Sequence, residues 1–201
     1  MSPNAAEWSL GYRSERTPWD MRRPHPELTR RLEADPSLGC ESVGRVLVPG
    51  CGRGHDALAL ASAGWDVTAV DIADALEGIA RPTLEAAGVR FELGDVFSID
   101  PLAIGGPFDL VFDHTFFCAL EPGERPRFGE MADVMLVRKG VVASLVFPLG
   151  RPPLEGGPPH GMTPDDISAA LGSGFDQLGL GEPFTTGRRS WPHQWASWER
   201  R

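Results

Sequence analysis

The segment 46–56 constrains the fold more than any other part of the chain. Its residues, Val-Leu-Val-Pro-Gly-Cys-Gly-Arg-Gly-His-Asp, place three glycines at alternate positions between a short apolar run and an alanine-rich stretch. Glycine lacks a Cβ atom, so such a turn can bend sharply and lie against a ligand. A second apolar run ends at Asp71, about 20 residues further on. Strand, glycine turn, helix and acidic strand end together predict a nucleotide-binding βαβ unit.

The spacing of the glycines discriminates between nucleotide ligands. Gly50, Gly52 and Gly54 form Gly-x-Gly-x-Gly, whereas dinucleotide-binding turns have Gly-x-Gly-x-x-Gly and hold a pyrophosphate at the helix N-terminus. This difference favours S-adenosylmethionine, which has no pyrophosphate. We expect Asp71 to bind the ribose hydroxyls and Asp95 to bind the adenine amino group. The predicted cofactor-binding residues at the strand ends are Gly50, Cys51, Gly52, Asp71, Ile72, Asp95, Val96 and Asp113.

Composition and charge restrict the function further. The chain has 201 residues, enough for one domain with a full core. It carries 19 basic and 28 acidic residues, and a net charge of −9 disfavours nucleic-acid binding. Cys40, Cys51 and Cys118 lack metal-ligand spacing, so we expect reduced thiols and no metal. No signal peptide or long apolar run is present, so we expect a cytoplasmic protein that binds no membrane. We also expect a monomer.

Apolar periodicity predicts strands that alternate with helices, which is typical of a doubly wound α/β sheet. The first 25 residues are expected to be irregular. Predicted strands are 45–48, 65–71, 89–93, 109–113 and 141–147, with a terminal antiparallel pair at 177–180 and 194–199. Predicted helices are 27–34, 55–63, 73–87 with a break at Pro82, 124–137 and 164–171. Trp191, Trp195 and Trp198 are assigned to a C-terminal strand that covers the sheet.

Five collinear segments carry a resemblance to a known family. They are Arg-Thr-Pro-Trp-Asp at 16–20, the glycine turn at 47–56, Phe-Asp-Leu-Val-Phe-Asp at 108–113, Thr-Phe-Phe-Cys-Ala-Leu at 115–120 and Gly-Gly-Pro-Pro at 156–159. On these segments the chain resembles the thiopurine S-methyltransferase family of class I methyltransferases, most of all its halide/thiol methyltransferase branch. The resemblance extends from Trp8 to the C-terminus.

The resemblance implies a single domain, 1–201, with S-adenosylmethionine as cofactor. Residues 1–40 are then an aromatic lid with a leading helix, and 41–201 a Rossmann-like core. The implied core has a mostly parallel, seven-stranded sheet with helices on both faces. The resemblance also implies that Trp8, Tyr12 and Trp19 fold over the cofactor. A sulfonium is a cation, and aromatic faces attract cations.

The acceptor end departs from the family pattern. His114 follows the fourth predicted strand, where this branch commonly has tyrosine, and it stands beside Asp113. It can be a general base, a donor that orients the nucleophile, or a residue that only shapes the pocket. Tyr12 is the only tyrosine, so a halide site built from tyrosine hydroxyls is not available. The predicted substrate contacts are Phe116, Phe117, Phe147 and His160, and His114 is the predicted catalytic residue.

These observations predict methyl transfer from S-adenosylmethionine to a small soft nucleophile (a thiol, bisulfide or halide) by in-line displacement. An alternative is a small oxygen or nitrogen acceptor, with His114 or His160 as base. A non-catalytic binding module is disfavoured by the intact glycines and aspartates. A nicotinamide-dependent oxidoreductase is disfavoured by the spacing of the third glycine and by the presence of a single lysine, Lys139.

Overall fold

Within residues 4–187 and 191–201, which the computed structural model describes, seven strands form one sheet in the order β3-β2-β1-β4-β5-β7-β6. The strands β1 to β5 are parallel to one another, and β7 runs antiparallel to both of its neighbours, β5 and β6. Their bounds are β1 Arg45–Pro49, β2 Asp66–Asp71, β3 Arg90–Leu93, β4 Phe108–His114, β5 Leu136–Val146, β6 Phe175–Leu180 and β7 Gln194–Arg200. The predicted doubly wound, mostly parallel sheet is confirmed.

Helices cover both faces of this sheet. They are α1 Ala5–Arg13, α2 Pro26–Ala34, α3 His55–Ser62, α4 Leu76–Ile79, α5 Arg81–Ala86, α6 Pro126–Met135 and α7 Pro164–Leu171. The predicted break near Pro82 is confirmed, because α4 and α5 are separate helices that meet at Ala80. None of the helices among the described residues combines the length and apolar character needed to cross a membrane.

Two hydrophobic cores lie on opposite faces of the sheet. In β1, Val46 and Val48 belong to one core and Leu47 to the other, because successive side chains of a strand point to opposite faces. This double burial explains why the central strands are continuous apolar runs. Tyr12 of α1 and Leu28 of α2 pack into the first core, so the N-terminal segment is attached to the sheet.

The prediction of an irregular N-terminus is wrong. Helix α1 begins after Asn4, whose side chain accepts hydrogen bonds from the amides of Ala6 and Glu7, while Glu7 accepts from the Asn4 amide at 2.8 Å. This reciprocal capping box satisfies amides that the first turn otherwise leaves unpaired. The Asn-x-x-Glu signal is present in the sequence, and the polar composition of the segment obscured it.

The predicted boundary between helix 124–137 and strand 141–147 is also wrong. Helix α6 ends at Met135, and β5 begins directly at Leu136. The pairing partner of Phe108 is Leu136, but that of Leu110 is Val141, so β5 contains extra residues at this point. Lys139 lies in this stretch with a φ of 64°. The irregular stretch has no alternating pattern, which is why periodicity did not reveal it.

Candidate active site

A cavity of about 530 Å³ opens where β1, β2, β3, β4 and β5 end. Ligands of open α/β sheets bind at this edge because the loops after parallel strands meet there. The volume lies in the range of small-molecule sites. Of the predicted site residues, the cavity brings together Trp8, Tyr12, Trp19, Gly50, Cys51, Gly52, Asp71, Ile72, Asp95, Val96, His114, Phe116 and Phe147.

The glycine turn forms one wall of the cavity. Gly50 and Gly52 have φ values of 58° and 55°, a conformation that favours glycine. A Cβ atom at Gly50 would lie 2.6 Å from Cδ2 of Phe116, and one at Gly52 would lie 2.8 Å from Oη of Tyr12. The missing side chains therefore allow two aromatic residues to approach the turn.

Asp71 lies at the end of β2, and the glycine turn closes onto it. One carboxylate oxygen accepts a hydrogen bond from the Gly52 amide at 2.9 Å, and the other accepts from the Ala73 amide at 3.0 Å. Burial raises the pKa of Asp71, and these backbone donors oppose that shift. Each oxygen of a carboxylate can accept more than one bond. The two oxygens therefore retain acceptor capacity for a pair of hydroxyls.

The next strand end supplies a second carboxylate. Asp95 accepts a hydrogen bond from the Phe97 amide at 3.1 Å, and its other oxygen is 3.6 Å from Nη2 of Arg127. The guanidinium of Arg127 lies 4.2 Å from the centre of the Phe97 ring. Ile72, which is 37% exposed, and Val96 line the same region. The arrangement is a partly apolar slot with a carboxylate at its edge, which fits a purine ring with an amino group.

The three N-terminal aromatics form a cluster over the glycine turn. The ring of Trp19 makes edge-to-face contacts with Trp8 at 5.0 Å and with Tyr12 at 5.8 Å. The indole nitrogen of Trp19 donates to Oη of Tyr12 at 3.3 Å. Burial, followed by the charge of Asp71, raises the pKa of Tyr12. Tyr12 therefore stays neutral and offers an aromatic face next to the turn.

Asp20, which the site prediction did not include, attaches this aromatic segment to the core. Its carboxylate is 3.0 Å from Nε of Arg53 and 3.3 Å from Nε2 of His55, and only 6% of its side chain is exposed. Arg53 belongs to the glycine turn and His55 begins α3. Asp20 lies within one of the family-like segments, but the separation from its partners left no local signal of the pairing.

His114 has a different carboxylate partner from the one expected. Its Nδ1 lies 2.6 Å from Oδ2 of Asp56, and the other Asp56 oxygen accepts a hydrogen bond from the His25 amide at 2.7 Å. Asp56 is in the first turn of α3, 58 positions away in sequence. Sequence reasoning therefore found the histidine and missed its partner.

The structure does not bring Asp113 to the cavity with the other predicted cofactor-binding residues. It is 1% exposed and does not line the cavity. One oxygen accepts from the amides of Phe116 and Phe117 at 3.2 and 3.0 Å, and the other accepts from Ser144 Oγ at 2.6 Å. Burial raises the pKa of Asp113, and the Ser144 bond opposes it. The residue fixes the loop that carries His114 and Phe116.

Two of the predicted substrate contacts, Phe117 and His160, also lie outside the lining of the cavity. Phe117 is fully buried and packs edge-to-face against Phe128, 5.1 Å away, in the second core. His160 does not line the cavity, because its amide donates to the Cys118 carbonyl at 2.7 Å and its ring lies 3.8 Å from Glu121. Pro158 and Pro159 line the cavity instead.

Trp191 was assigned by sequence to the strand that covers the sheet. The structure places it on the cavity wall, while Trp195 and Trp198 lie buried in β7 as expected. Trp191 precedes the first residue of β7, Gln194, so it belongs to the connecting loop. Trp195 and Trp198 follow it closely in the sequence, which suggested that all three belong to one strand.

The fold and the site of this chain are those of the class I S-adenosylmethionine-dependent methyltransferases. A glycine turn after β1, an acidic end of β2 and a cavity over the strand ends are all present. The chain belongs to the thiopurine S-methyltransferase family, whose sequence model matches residues 3–186. The expected family, enzymatic activity and cofactor are thereby confirmed.

Individual relatives agree with this membership. The chain is 33% identical to a probable thiol methyltransferase 2 of Arabidopsis thaliana, over 90% of this chain and 78% of that protein. It is 31% identical to thiocyanate methyltransferase 1 of Brassica oleracea, over 96% of this chain and 84% of that one. The fold is similar to that of 1,6-didemethyltoxoflavin-N1-methyltransferase of Burkholderia thailandensis, with a TM-score of 0.76 and 20% identity, covering 98% and 86% of the two chains.

Proposed function

We propose that this protein transfers the methyl group of S-adenosylmethionine to a small soft nucleophile, first of all a thiol or bisulfide and otherwise a halide. The observation that carries the proposal is the shared cavity. Asp71 and the glycine turn line one part of it, and His114, Phe116 and Phe147 line another. The acceptor class is supported by two relatives whose names are thiol methyltransferase and thiocyanate methyltransferase.

The residues of the cavity fit the cofactor. The carboxylates of Asp71 and Asp95 would bind the ribose hydroxyls and the adenine amino group, and Ile72 and Val96, which line the same cavity, would pack against the purine. Trp8 and Trp19, which also line the cavity, would offer aromatic faces to the positively charged sulfonium. When bound, S-adenosylmethionine supplies a methyl group that is already activated by the positive sulfur.

The protein itself positions the nucleophile, surrounds it with apolar side chains and supplies one proton acceptor. An in-line displacement needs the nucleophile about 3–3.5 Å from the methyl carbon. Phe116, Phe147 and Pro158 line the same cavity as His114 and give it apolar walls. A neutral thiol reacts poorly because the thiolate is the nucleophile. We propose that His114 removes this proton as the thiol attacks.

We also propose that the protein works as a cytoplasmic monomer on a small molecule, without nucleic acid or membrane. Its net charge of −9 supports the first exclusion. The alternative of an oxygen or nitrogen acceptor gains no support, because His160, one of its two candidate bases, does not line the cavity.

Headspace gas chromatography tests the proposal. The protein is incubated with S-adenosylmethionine and, separately, with iodide, bisulfide, thiocyanate and small thiols. We expect volatile methyl sulfides from the thiols and from bisulfide. Tight cofactor binding in calorimetry combined with no methylated product from any of these acceptors would contradict the proposed acceptor class.

A further inference from the structure

We propose that Asp56 is a positioning residue that holds His114 with its proton on Nδ1 and its lone pair on Nε2. With His114 in this tautomer, the cavity favours acceptors that bind in their protonated form, such as neutral thiols. The inference rests on the proposed function and adds the protonation state of the acceptor to it. It excludes a purely pocket-shaping role for His114.

The contacts of Asp56 fix the imidazole from one side. Asp56 Oδ2 is 2.6 Å from His114 Nδ1, and Oδ1 is held by the His25 amide at 2.7 Å. The side chains of Asp56 and His114 are 15% and 9% exposed, so water competes little for this bond. The His25 ring packs edge-to-face on the His114 ring at 4.9 Å. Both partners therefore have one defined orientation.

The surroundings of Asp56 favour its ionised form. Burial acts to raise the pKa of Asp56, but the adjacent His114 and the bond from the His25 amide outweigh it, and the pKa is lowered. The position in the first turn of α3 adds to this effect, since a helix N-terminus favours negative charge. A carboxylate accepts hydrogen bonds only. The proton between the two residues therefore belongs to Nδ1 of His114.

The other nitrogen of His114 is left as an acceptor. Nε2 is a buried atom with no hydrogen-bond partner among the described residues. A buried, unsatisfied polar atom is costly, and its cost is removed when a donor arrives. His114 lines the cavity, and we assign the missing donor to the S–H group of an acceptor that is bound there. A halide or thiocyanate ion brings no proton to Nε2, whereas a thiol does.

In the proposed reaction, the methyl group goes to the acceptor sulfur and the thiol proton goes to His114. The acceptor sulfur forms its bond to the methyl carbon, and the bond from that carbon to the sulfonium sulfur breaks, its electron pair remaining on that sulfur. The S–H proton passes to His114 Nε2, and the imidazolium is stabilised by Asp56. Three titratable groups lie next to His114. They are Asp56, which contacts Nδ1, Asp113, which precedes His114 in β4, and the ring of His25.

Asp56→Asn is the direct test, assayed with ethanethiol and with iodide from pH 6 to pH 10. An asparagine can donate to Nδ1 and leave the proton on Nε2. We expect the rate on ethanethiol at pH 7 to fall by about 10²–10⁴-fold, the usual contribution of a positioned base. The loss should shrink toward pH 10, where a growing fraction of the thiol is ionised and the thiolate needs no base; a simple alkanethiol has a higher pKa than the value of about 8.5 for cysteine. The rate on iodide should fall far less at every pH.

The matched control is Asp66→Asn, which changes an exposed aspartate at the start of β2 and should leave both rates and the pH profile unchanged. Equal losses on ethanethiol and iodide at all pH values would overturn the inference, because Asp56 would then only support the shape of the pocket. Partial rescue by Asp56→Glu, which keeps the carboxylate, is expected on ethanethiol.

The tautomer of His114 can also be measured directly, without an activity assay. In ¹⁵N-labelled histidine spectra of the full chain, the His114 signals, assigned by their loss in His114→Gln, should show Nδ1 protonated and Nε2 bare near pH 8. A neutral ring with its proton on Nε2 would overturn the inference even if Asp56→Asn fails to fold. If no thiol is methylated but the tautomer is as expected, the acceptor class is wrong and the role of Asp56 stands.

Discussion

Replacement of Asp71 by asparagine separates what this residue does for the cofactor from what it does for the fold. Both carboxylate oxygens already accept one backbone amide, at 2.9 and 3.0 Å, and both keep capacity for a hydroxyl. An asparagine has one acceptor oxygen, so it can hold only one of the two hydroxyls and loses the charge. Hydrogen bonds to charged groups contribute about 1.5–3 kcal/mol each. The affinity for S-adenosylmethionine should therefore fall roughly ten- to a hundredfold.

Asp71 also makes the free energy of unfolding depend on pH. Burial raises the pKa of Asp71 in the folded chain, so the folded state keeps this proton at pH values where the unfolded chain has lost it. Stability without cofactor therefore falls as pH rises from about 3.9, the ordinary value, through the raised folded pKa. Asp71→Asn should lack this pH-dependent loss.

Calorimetric titration at pH 7 measures the affinity, and thermal unfolding from pH 3 to pH 8 measures the stability term. Asp66→Asn is again the control, since Asp66 lies at the exposed opposite end of the same strand, β2. If Asp71→Asn binds S-adenosylmethionine as tightly as the unaltered protein, the assignment of the β2 end to the ribose is refuted.

Three further outcomes are expected. Deletion of residues 1–20 should leave the sheet folded in circular dichroism and abolish turnover; full activity would contradict the lid, and loss of the folded signal would show that the sheet needs the packing of Tyr12 into the first core. His114→Phe should lower the rate on thiols by about 10²–10⁴-fold and the rate on iodide far less; equal losses would assign His114 to pocket shape. Ser144→Ala removes the buried donor to Asp113 and should cost about 1–3 kcal/mol in chemical denaturation; an unchanged denaturation midpoint would contradict the structural role of Asp113.

Local sequence signals were sufficient for most of the sheet and for the cofactor end. The parallel strands are apolar because both of their faces are buried, and the glycine turn needs positive φ values that few other residues adopt. The ends of β1, β2 and β3 therefore gave Gly50, Asp71 and Asp95 directly. Helix α1 also had its signal, the Asn4–Glu7 capping box, which went unused.

The acceptor end was predictable only in part, because its decisive contacts join residues that are distant in sequence. His114 was recognised by its position after β4, but its partner Asp56 is in α3 and reaches it only in the folded chain. Alternation along β4 and its loop did not show which side chains face inward. Asp113 and Phe117 point into the protein, whereas His114 and Phe116 line the cavity.

The contact between Gly50 and Phe116 limits how this enzyme can change. Any side chain at Gly50 would displace the Phe116 ring, and Phe116 also borders the space beside His114. A mutation on either side of this contact alters the other, so the donor and acceptor regions cannot diverge independently there. Phe147 and Trp191 also line the cavity, from the segment after β5 and from the loop before β7. Selection for new acceptors should therefore accumulate substitutions at these two positions while Gly50 and Phe116 stay fixed.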